Sequence, residues 1–575
     1  MLRGYGAHTV SPEIPPAPPL TVVVPLASLI PEFRAIIETA RTDRGWDSGR
    51  LSQAIRTSFG FLGPYTNGHV EILAQNEVND ECLILEFLGT GVRDAPGIER
   101  SFAKATRQAE RGDAKGALGE LERIVREIPE VAKYHRALGQ AYFVLNRPDE
   151  AEDELLRSLA LDPRDPDALT LLGNLYARSG RPAKAVALYR RSIELMPNVY
   201  ALTNTGAALA ELGELDEAIA SLRRAIDIDV KYPNAWWGLG LALSRKEDLS
   251  LLPEAIAALD KAIATAGTAP ANSEIRDQAR RLLMGLSQID ANEVWQRQGT
   301  ATIDAAVAES LSRGDLPIRF EEGAPAGVLA KIEYGWVHNR PYHRVLTGGQ
   351  DRPDRAHHVL HELEHLRLTS AARAAGQNRW FATTPAETAS AHRALDADVA
   401  RVIKTGMNGA EARKFATYGV QGLLGQLYNF PVDLLIEDRL LERYPRLREL
   451  IFQSVFGQLS TALKILHNRD IAAMTPRTIF RANAAMNGAF ALWLEDRFPD
   501  RTQFAQEFGK ADTASISRAL YAQWKEASKK WRPGAELRWI DDWAGTLGLR
   551  SWYRWVDDTE DEGEGAGSVS DLVEP

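Results

Sequence analysis

Residues 138–142 read Leu-Gly-Gln-Ala-Tyr, and residues 172–176 read Leu-Gly-Asn-Leu-Tyr, 34 positions later. Thr205-Gly206 and Leu239-Gly240 continue the register. Ala117, Ala151 and Ala185 recur at the same step, with Ala218 one residue short of it, and Pro129, Pro163 and Pro197 keep it too. Gly and Ala let two helices approach closely, and Pro ends the second helix before the next unit starts. A fixed step of this size marks a repeat architecture. Five helix–turn–helix units are expected, at 98–131, 132–165, 166–199, 200–233 and 234–267. The last carries an insertion at Lys246–Pro253, and an amphipathic helix over 273–298 follows as a cap.

The period and its small residues resemble the tetratricopeptide repeat (TPR), and Trp236, four before Gly240, stands at that family's aromatic position. The resemblance implies an α-solenoid whose concave surface binds a protein partner.

The 575 residues exceed what one core serves, so several units are expected. They divide into a Pro-rich segment (1–19), a small N-terminal α/β module (20–95), the repeats and cap (96–298), a further domain (299–556) and an acidic tail (557–575). In the module a helix is expected over Glu32–Arg41 and strands over Glu71–Gln75 and Cys82–Phe87. The formal net charge is −10, and eight acidic residues without a Lys or Arg lie in 557–575, which leaves the body near neutrality. No basic stripe suggests nucleic acid as a partner. The one cysteine, Cys82, excludes an internal disulfide and a Cys-rich metal site. No apolar run reaches membrane-spanning length, and Leu20–Ile30, interrupted by Pro25, does not read as a signal peptide. A cytoplasmic setting with no membrane partner is expected.

Beyond residue 300 the period stops. Ile318–Glu321, Ala330–Val337 and Tyr342–Leu346 read as strands, the last two as a hairpin about His338–Pro341, and a helix is expected from Asp354 to Leu368. Further helices are expected over 385–404, 410–428, 431–443, 446–467 and 477–496, giving an α+β domain. Seven of the eleven histidines fall between His338 and His392. Among them His361-Glu362-Leu363-Glu364-His365 is H-E-x-x-H. Positions i and i+4 lie about 40° apart on a helix, so both imidazoles can chelate one Zn2+. Glu362 sits about 100° round, where it can take a proton from an attacking water and pass it to a leaving amine. Val359, Leu363 and Leu366 give the helix an apolar face.

The motif, following a hairpin, resembles the zincin metallopeptidases. The fold class expected for the whole chain is therefore mainly α: a TPR solenoid plus an α+β zincin-like domain. The resemblance implies a zinc metallopeptidase that cleaves a protein or peptide substrate, with Glu362 catalytic and His361 and His365 on the metal. A third ligand is required. Residues 366–375 hold no His, so the metzincin spacing is absent. The gluzincin pattern, a Glu on a later helix, points to Glu437 in a helix expected to start at Pro431, although the acidic residue common four positions further on is replaced by Leu441. Asp433 can orient a ligand, and His392, Glu387, Asp396 and Asp433 stay open as alternatives. His357 and His358 either extend the site, with His358 as a further ligand or ligand-orienting candidate, or form a local network with Asp351 and Asp354. Tyr342–Leu346 is expected as the edge strand that pairs with substrate, and Tyr418, Tyr428 and His467 as possible oxyanion donors. Seven Trp residues after position 490 read as core packing. A non-catalytic TPR adaptor with a structural or degenerate zinc site, and a hydrolase of non-peptide substrates, are the competing readings.

Overall fold

The computed structural model describes residues 95–557 apart from 326–327, 349–353, 405 and 511, and ahead of them five short strands and a few isolated positions. The Pro-rich start, most of Glu32–Arg41, the turn 76–81, Asp351 and residues 558–575 lie outside the described residues. The chain divides into two compact units, residues 1–242 and 243–575.

In the first unit, β1 (Leu20–Pro25), β5 (Cys82–Phe87) and β4 (Glu71–Leu73) form an antiparallel sheet in that order, and β2 (Arg41–Thr42) pairs with β3 (Gly45–Trp46). The two strands expected near 71 and 82 are present, and β1 joins them. Helices then alternate: α1 (Ala95–Glu110) with α2 (Ala114–Glu127), α3 (Ala132–Val144) with α4 (Pro148–Leu161), α5 (Pro166–Arg178) with α6 (Pro182–Leu195), and α7 (Val199–Leu212) with α8 (Leu215–Ile228). Prolines 148, 166 and 182 sit in the first turn, where the missing N–H costs nothing. The expected close approach is real. A Cβ on Gly173 would stand 2.5 Å from Cε1 of Tyr189, and one on Gly139 2.8 Å from Cγ of Leu155. Consecutive units also share a polar clasp. Tyr142 donates to Glu122 with Arg147 over its ring, and Tyr176 donates to Glu152 with Arg181 over its ring. α9 (Pro233–Ser244) carries the chain across the division between units.

The second unit starts with a 3-10 turn at Leu249–Leu251, inside the expected insertion, then α10 (Leu252–Ala266) and α11 (Ser273–Val294). The cap helix does not end at 298. A π turn at Trp295–Gly299 leads into α12 (Thr300–Ser312). β6 (Ile318–Glu322), β7 (Ala330–Glu333) and β8 (His343–Thr347) form one sheet, with β8 central, parallel to β6 and antiparallel to β7. The hairpin is therefore present, but the Tyr342–Leu346 segment is no edge strand. Both of its sides are paired, and β7 and β6 form the edges.

α13 (Arg355–Ala374) carries the histidine motif. β9 (Arg379–Ala382), α14 (Pro385–Ile403) and α15 (Gly409–Arg443) follow. α15 absorbs two expected helices, and Pro431 lies inside it rather than at a start. Proline forfeits one backbone bond there, and burial of Leu427, Pro431, Leu434 and Leu435 holds the helix through it. Then come α16 (Arg448–Leu466), α17 (Arg469–Met474), α18 (Arg477–Arg497), α19 (Phe504–Gly509), α20 (Ala514–Ser528), α21 (Glu536–Leu547) and β10 (Arg554–Asp557), which pairs with β9. Trp493, Trp524, Trp539, Trp543 and Trp552 are buried, and Trp531 and Trp555 pack on the same core, as the packing reading expects. Arg501 is buried between Asp260 and Glu449, tying α10 to α16. The chain is mainly helical.

Candidate metal centre

α13 is anchored on one face by Val359, Leu363 and Leu366, all buried. Glu364, the fourth motif residue, is also buried and accepts from Arg439 of α15 and Arg367, each at 3.1 Å. Arg439 in turn lies over the Trp531 ring. These contacts lock α13 against α15 and fix the rotation of the histidine stripe.

That stripe is His357, His361 and His365, each one turn from the next. It faces Asp433 and Glu437 of α15, also one turn apart. His357 Nε2 lies 3.0 and 2.9 Å from the two oxygens of Glu437. His361 Nδ1 lies 3.0 Å from Glu437 Oε1, and its Nε2 3.3 Å from Asp433 Oδ1. His365 Nε2 lies 3.1 Å from Asp433 Oδ1. As the His number rises the acid number falls, so the two helices run antiparallel along the contact.

The stripe has a buried end and an open end. His357 and Glu437 side chains are 1% and 2% exposed, whereas His361, Asp433 and His365 are 14%, 16% and 18% exposed. Burial opposes charge on Asp433, but hydrogen bonds and charge from His361 and His365 more than offset it and hold its carboxyl well below the usual range. Burial likewise opposes charge on Glu437, yet His357 and His361 bring it down to about 2. His361, both of whose nitrogens face carboxylates, is raised well above an ordinary imidazole despite its burial.

Two groups of side chains bring ligand atoms within 4.8 Å of one another: His357, His361 and Glu437, and His361, Glu362 and His365. The donors are imidazole nitrogen and carboxylate oxygen, which suit zinc. Asp433 Oδ1 is 3.3 and 3.1 Å from the outer nitrogens of the two motif histidines. Tetrahedral zinc with bonds of about 2.0–2.1 Å sets its ligand atoms about 3.3 Å apart, so this carboxylate is at ligand spacing from each histidine taken singly, although Asp433 belongs to neither of the two groups. Glu437 meets His361 but not His365. Its second imidazole is that of His357.

Glu362 Oε2 accepts from the Ile332 N–H of β7 at 2.9 Å. Tyr334, just beyond β7, brings its hydroxyl 3.2 Å from Oγ1 of Thr369, one turn past His365. Neither contact is visible in the sequence, because both depend on where the sheet lies along α13. His358 Nε2 and His357 Nδ1 lie 3.2 and 2.8 Å from Oγ of Ser454 on α16, so their network runs to α16. His392 pairs with Thr417, about 24 Å along α15 from Asp433, and does not join the site. Glu387 is used in the N-terminal capping box of α14, and Asp396 has no place in either ligand group. His343 is buried against Trp336 and accepts from the Gly335 N–H. Of the expected oxyanion donors, Tyr418 is exposed, Tyr428 packs on Phe381 and Trp555, and His467 lies near Glu507.

Family models match the helical repeats. A tetratricopeptide repeat family model matches residues 102–168 and 145–199, and a TPR repeat model matches 206–246. The chain carries tetratricopeptide repeats. Anaphase-promoting complex subunit 3 of Schizosaccharomyces pombe is 31% identical over 85 residues, 15% of this chain and 13% of that protein. The TPR repeat-containing thioredoxin TTL4 of Arabidopsis thaliana is 38% identical over 77 residues, 13% of this chain and 11% of that protein. The chain thus spans only a small part of these curated relatives. Among solved structures, YrrB, described as a TPR protein with an unusual peptide-binding site, is 22% identical, covering 32% of this chain and 90% of that one at a TM-score of 0.26. TTC0263, a thermophilic TPR protein of Thermus thermophilus, is 21% identical, covering 32% and 99% at a TM-score of 0.28. TPR repeats are modules of protein–protein interaction. No helix among the described residues is long and apolar enough to cross a membrane.

Proposed function

We propose that the chain is a zinc-dependent peptidase with a zincin-like domain, in which the TPR repeats recruit a protein substrate or a regulatory partner. The observation that carries this reading is the approach of Asp433 Oδ1 to both motif histidines at the solvent-facing end of the stripe. His361, His365 and Asp433 supply the ligands, and the partial exposure of all three leaves room for a substrate, as a catalytic rather than a closed structural site needs. Glu437 takes the orienting role behind His361, the reverse of what the gluzincin pattern implies. A bound zinc would polarise a scissile carbonyl and acidify water.

The chain's own residues do the rest. The Ile332 N–H fixes one oxygen of Glu362, and the other accepts the proton of the attacking water and later returns it to the leaving amine. Tyr334 offers a hydroxyl to developing negative charge on the substrate oxygen. The outer edge of β7, beside Glu362, replaces β8 as the strand along which an extended peptide could lie.

One observation favours the second reading, a TPR adaptor with a structural zinc site. The Ile332 N–H already occupies one oxygen of the Glu362 carboxylate, which ties the side chain to β7 and leaves a single oxygen for a water. Assaying zinc content together with cleavage of an unstructured protein, in wild type and Glu362→Gln, separates the two. The peptidase reading expects zinc in both and cleavage in the wild type alone. Zinc with no cleavage by either supports the adaptor.

A further inference from the structure

We propose that His357 and Ser454 are positioning residues that set the tautomer of the metal-facing histidine His361 through Glu437. The inference rests on the metal site proposed above. An ionised carboxylate only accepts, so both nitrogens that face Glu437 must carry hydrogen. His357 Nε2–H and His361 Nδ1–H therefore both donate to it. That assignment leaves His357 Nδ1 with a lone pair, and Ser454 Oγ–H donates to it at 2.8 Å. Ser454 Oγ in turn accepts from His358 Nε2–H at 3.2 Å.

Each link fixes the next. The relay runs from α16 through α13 to α15 and back to α13, and it ends with the His361 Nδ1 proton on Glu437. With Nδ1–H committed to Glu437, Nε2 beside Asp433 is the nitrogen whose proton a metal ion would displace. A His ligand needs this kind of support on its second nitrogen, and loss of such a partner commonly costs 10–100-fold in metal affinity. Glu437 is almost fully buried, so two donors are needed to hold its charge in place. Ser454 matters at one remove. Without its hydroxyl the buried Nδ1 lone pair of His357 loses its donor, and the tautomer that serves Glu437 is held from one side only.

The test uses the full chain with Co2+ and Zn2+ as probes. The visible absorption bands of bound Co2+ report the ligand field, and competition with a chromophoric chelator gives zinc affinity. His357→Leu and Ser454→Ala are expected to weaken zinc about 10–100-fold and to shift the Co2+ bands. His357→Gln, whose amide can donate to Glu437 and accept from Ser454, is expected to restore affinity to within about threefold of wild type. Should His357→Leu fail to fold, Ser454→Ala and His357→Gln still carry the comparison. Wild-type affinity and wild-type bands in folded Ser454→Ala and His357→Leu would overturn the relay and leave the metal site standing. A wild-type chain that binds neither ion would overturn both.

Discussion

His361 Nδ1 lies 3.0 Å from Glu437 Oε1 at the buried end of the histidine stripe. The other nitrogen of the same ring faces Asp433 at the open end. This division of labour assigns unequal roles to two carboxylates one turn apart. Asp433→Asn is expected to lower zinc affinity by more than 100-fold, as loss of a direct ligand does, and Glu437→Gln by about 10–100-fold, as loss of an orienting partner does. Chelator competition measures both. The opposite order would move Glu437 to the metal.

Glu362→Gln is expected to retain zinc and to lose at least about 100-fold in kcat, the usual contribution of a general base. Tyr334→Phe is expected to cost about 100-fold in kcat with KM little changed, as for a donor that acts mainly on developing charge. A Tyr334→Phe chain that cleaves at the wild-type rate removes Tyr334 from the reaction.

The repeats make a prediction about packing. A Cβ at Gly173 would meet the Tyr189 ring at 2.5 Å, while one at Gly119 meets nothing within 4 Å. Gly173→Ala is expected to destabilise the array by about 1–3 kcal/mol through overpacking. Gly119→Ala, in the middle of α2, is expected to be neutral or to stabilise by up to about 1 kcal/mol. Thermal melts of both variants read the difference, and equal melting temperatures would deny the close approach.

The buried His135 supplies a pH dependence away from the metal. Burial opposes its charge, but the Glu154 carboxylate and the Pro129 carbonyl prevail and raise its pKa. A raised folded-state value means that its contribution to stability is fully present below the unfolded value of about 6.5 and is lost as pH rises through the folded value. Melting temperature should therefore fall between pH 6 and pH 9 by more in the wild type than in His135→Gln. Parallel curves for the two proteins would contradict this.

The repeat register was legible because Gly139, Gly173 and Gly206 each mark a helix contact set by local sequence. The catalytic-type motif was legible because i, i+4 spacing is a property of one helix. What one helix cannot reveal is its partner's axial offset. Asp433 and Glu437 share a face of α15, and only the antiparallel packing of α15 on α13 decides which of them meets His365. A signal was nevertheless present: three histidines at a four-residue step, 357, 361 and 365, answer two acids at the same step, 433 and 437. Pro431 misled for a different reason. Its local preference is for a first turn, and the burial of its neighbours overrides that preference inside α15. The pairing of β8 on both sides likewise rests on β6, which reaches it in parallel from before the hairpin.

The central claim is that His361, His365 and Asp433 hold a zinc ion. Elemental analysis of the purified full chain, equilibrated with zinc and then dialysed, tests it most directly. The account predicts one zinc per chain in the wild type and none in His361→Ala. A wild-type chain that retains no zinc, or a His361→Ala chain that retains as much as the wild type, would contradict it.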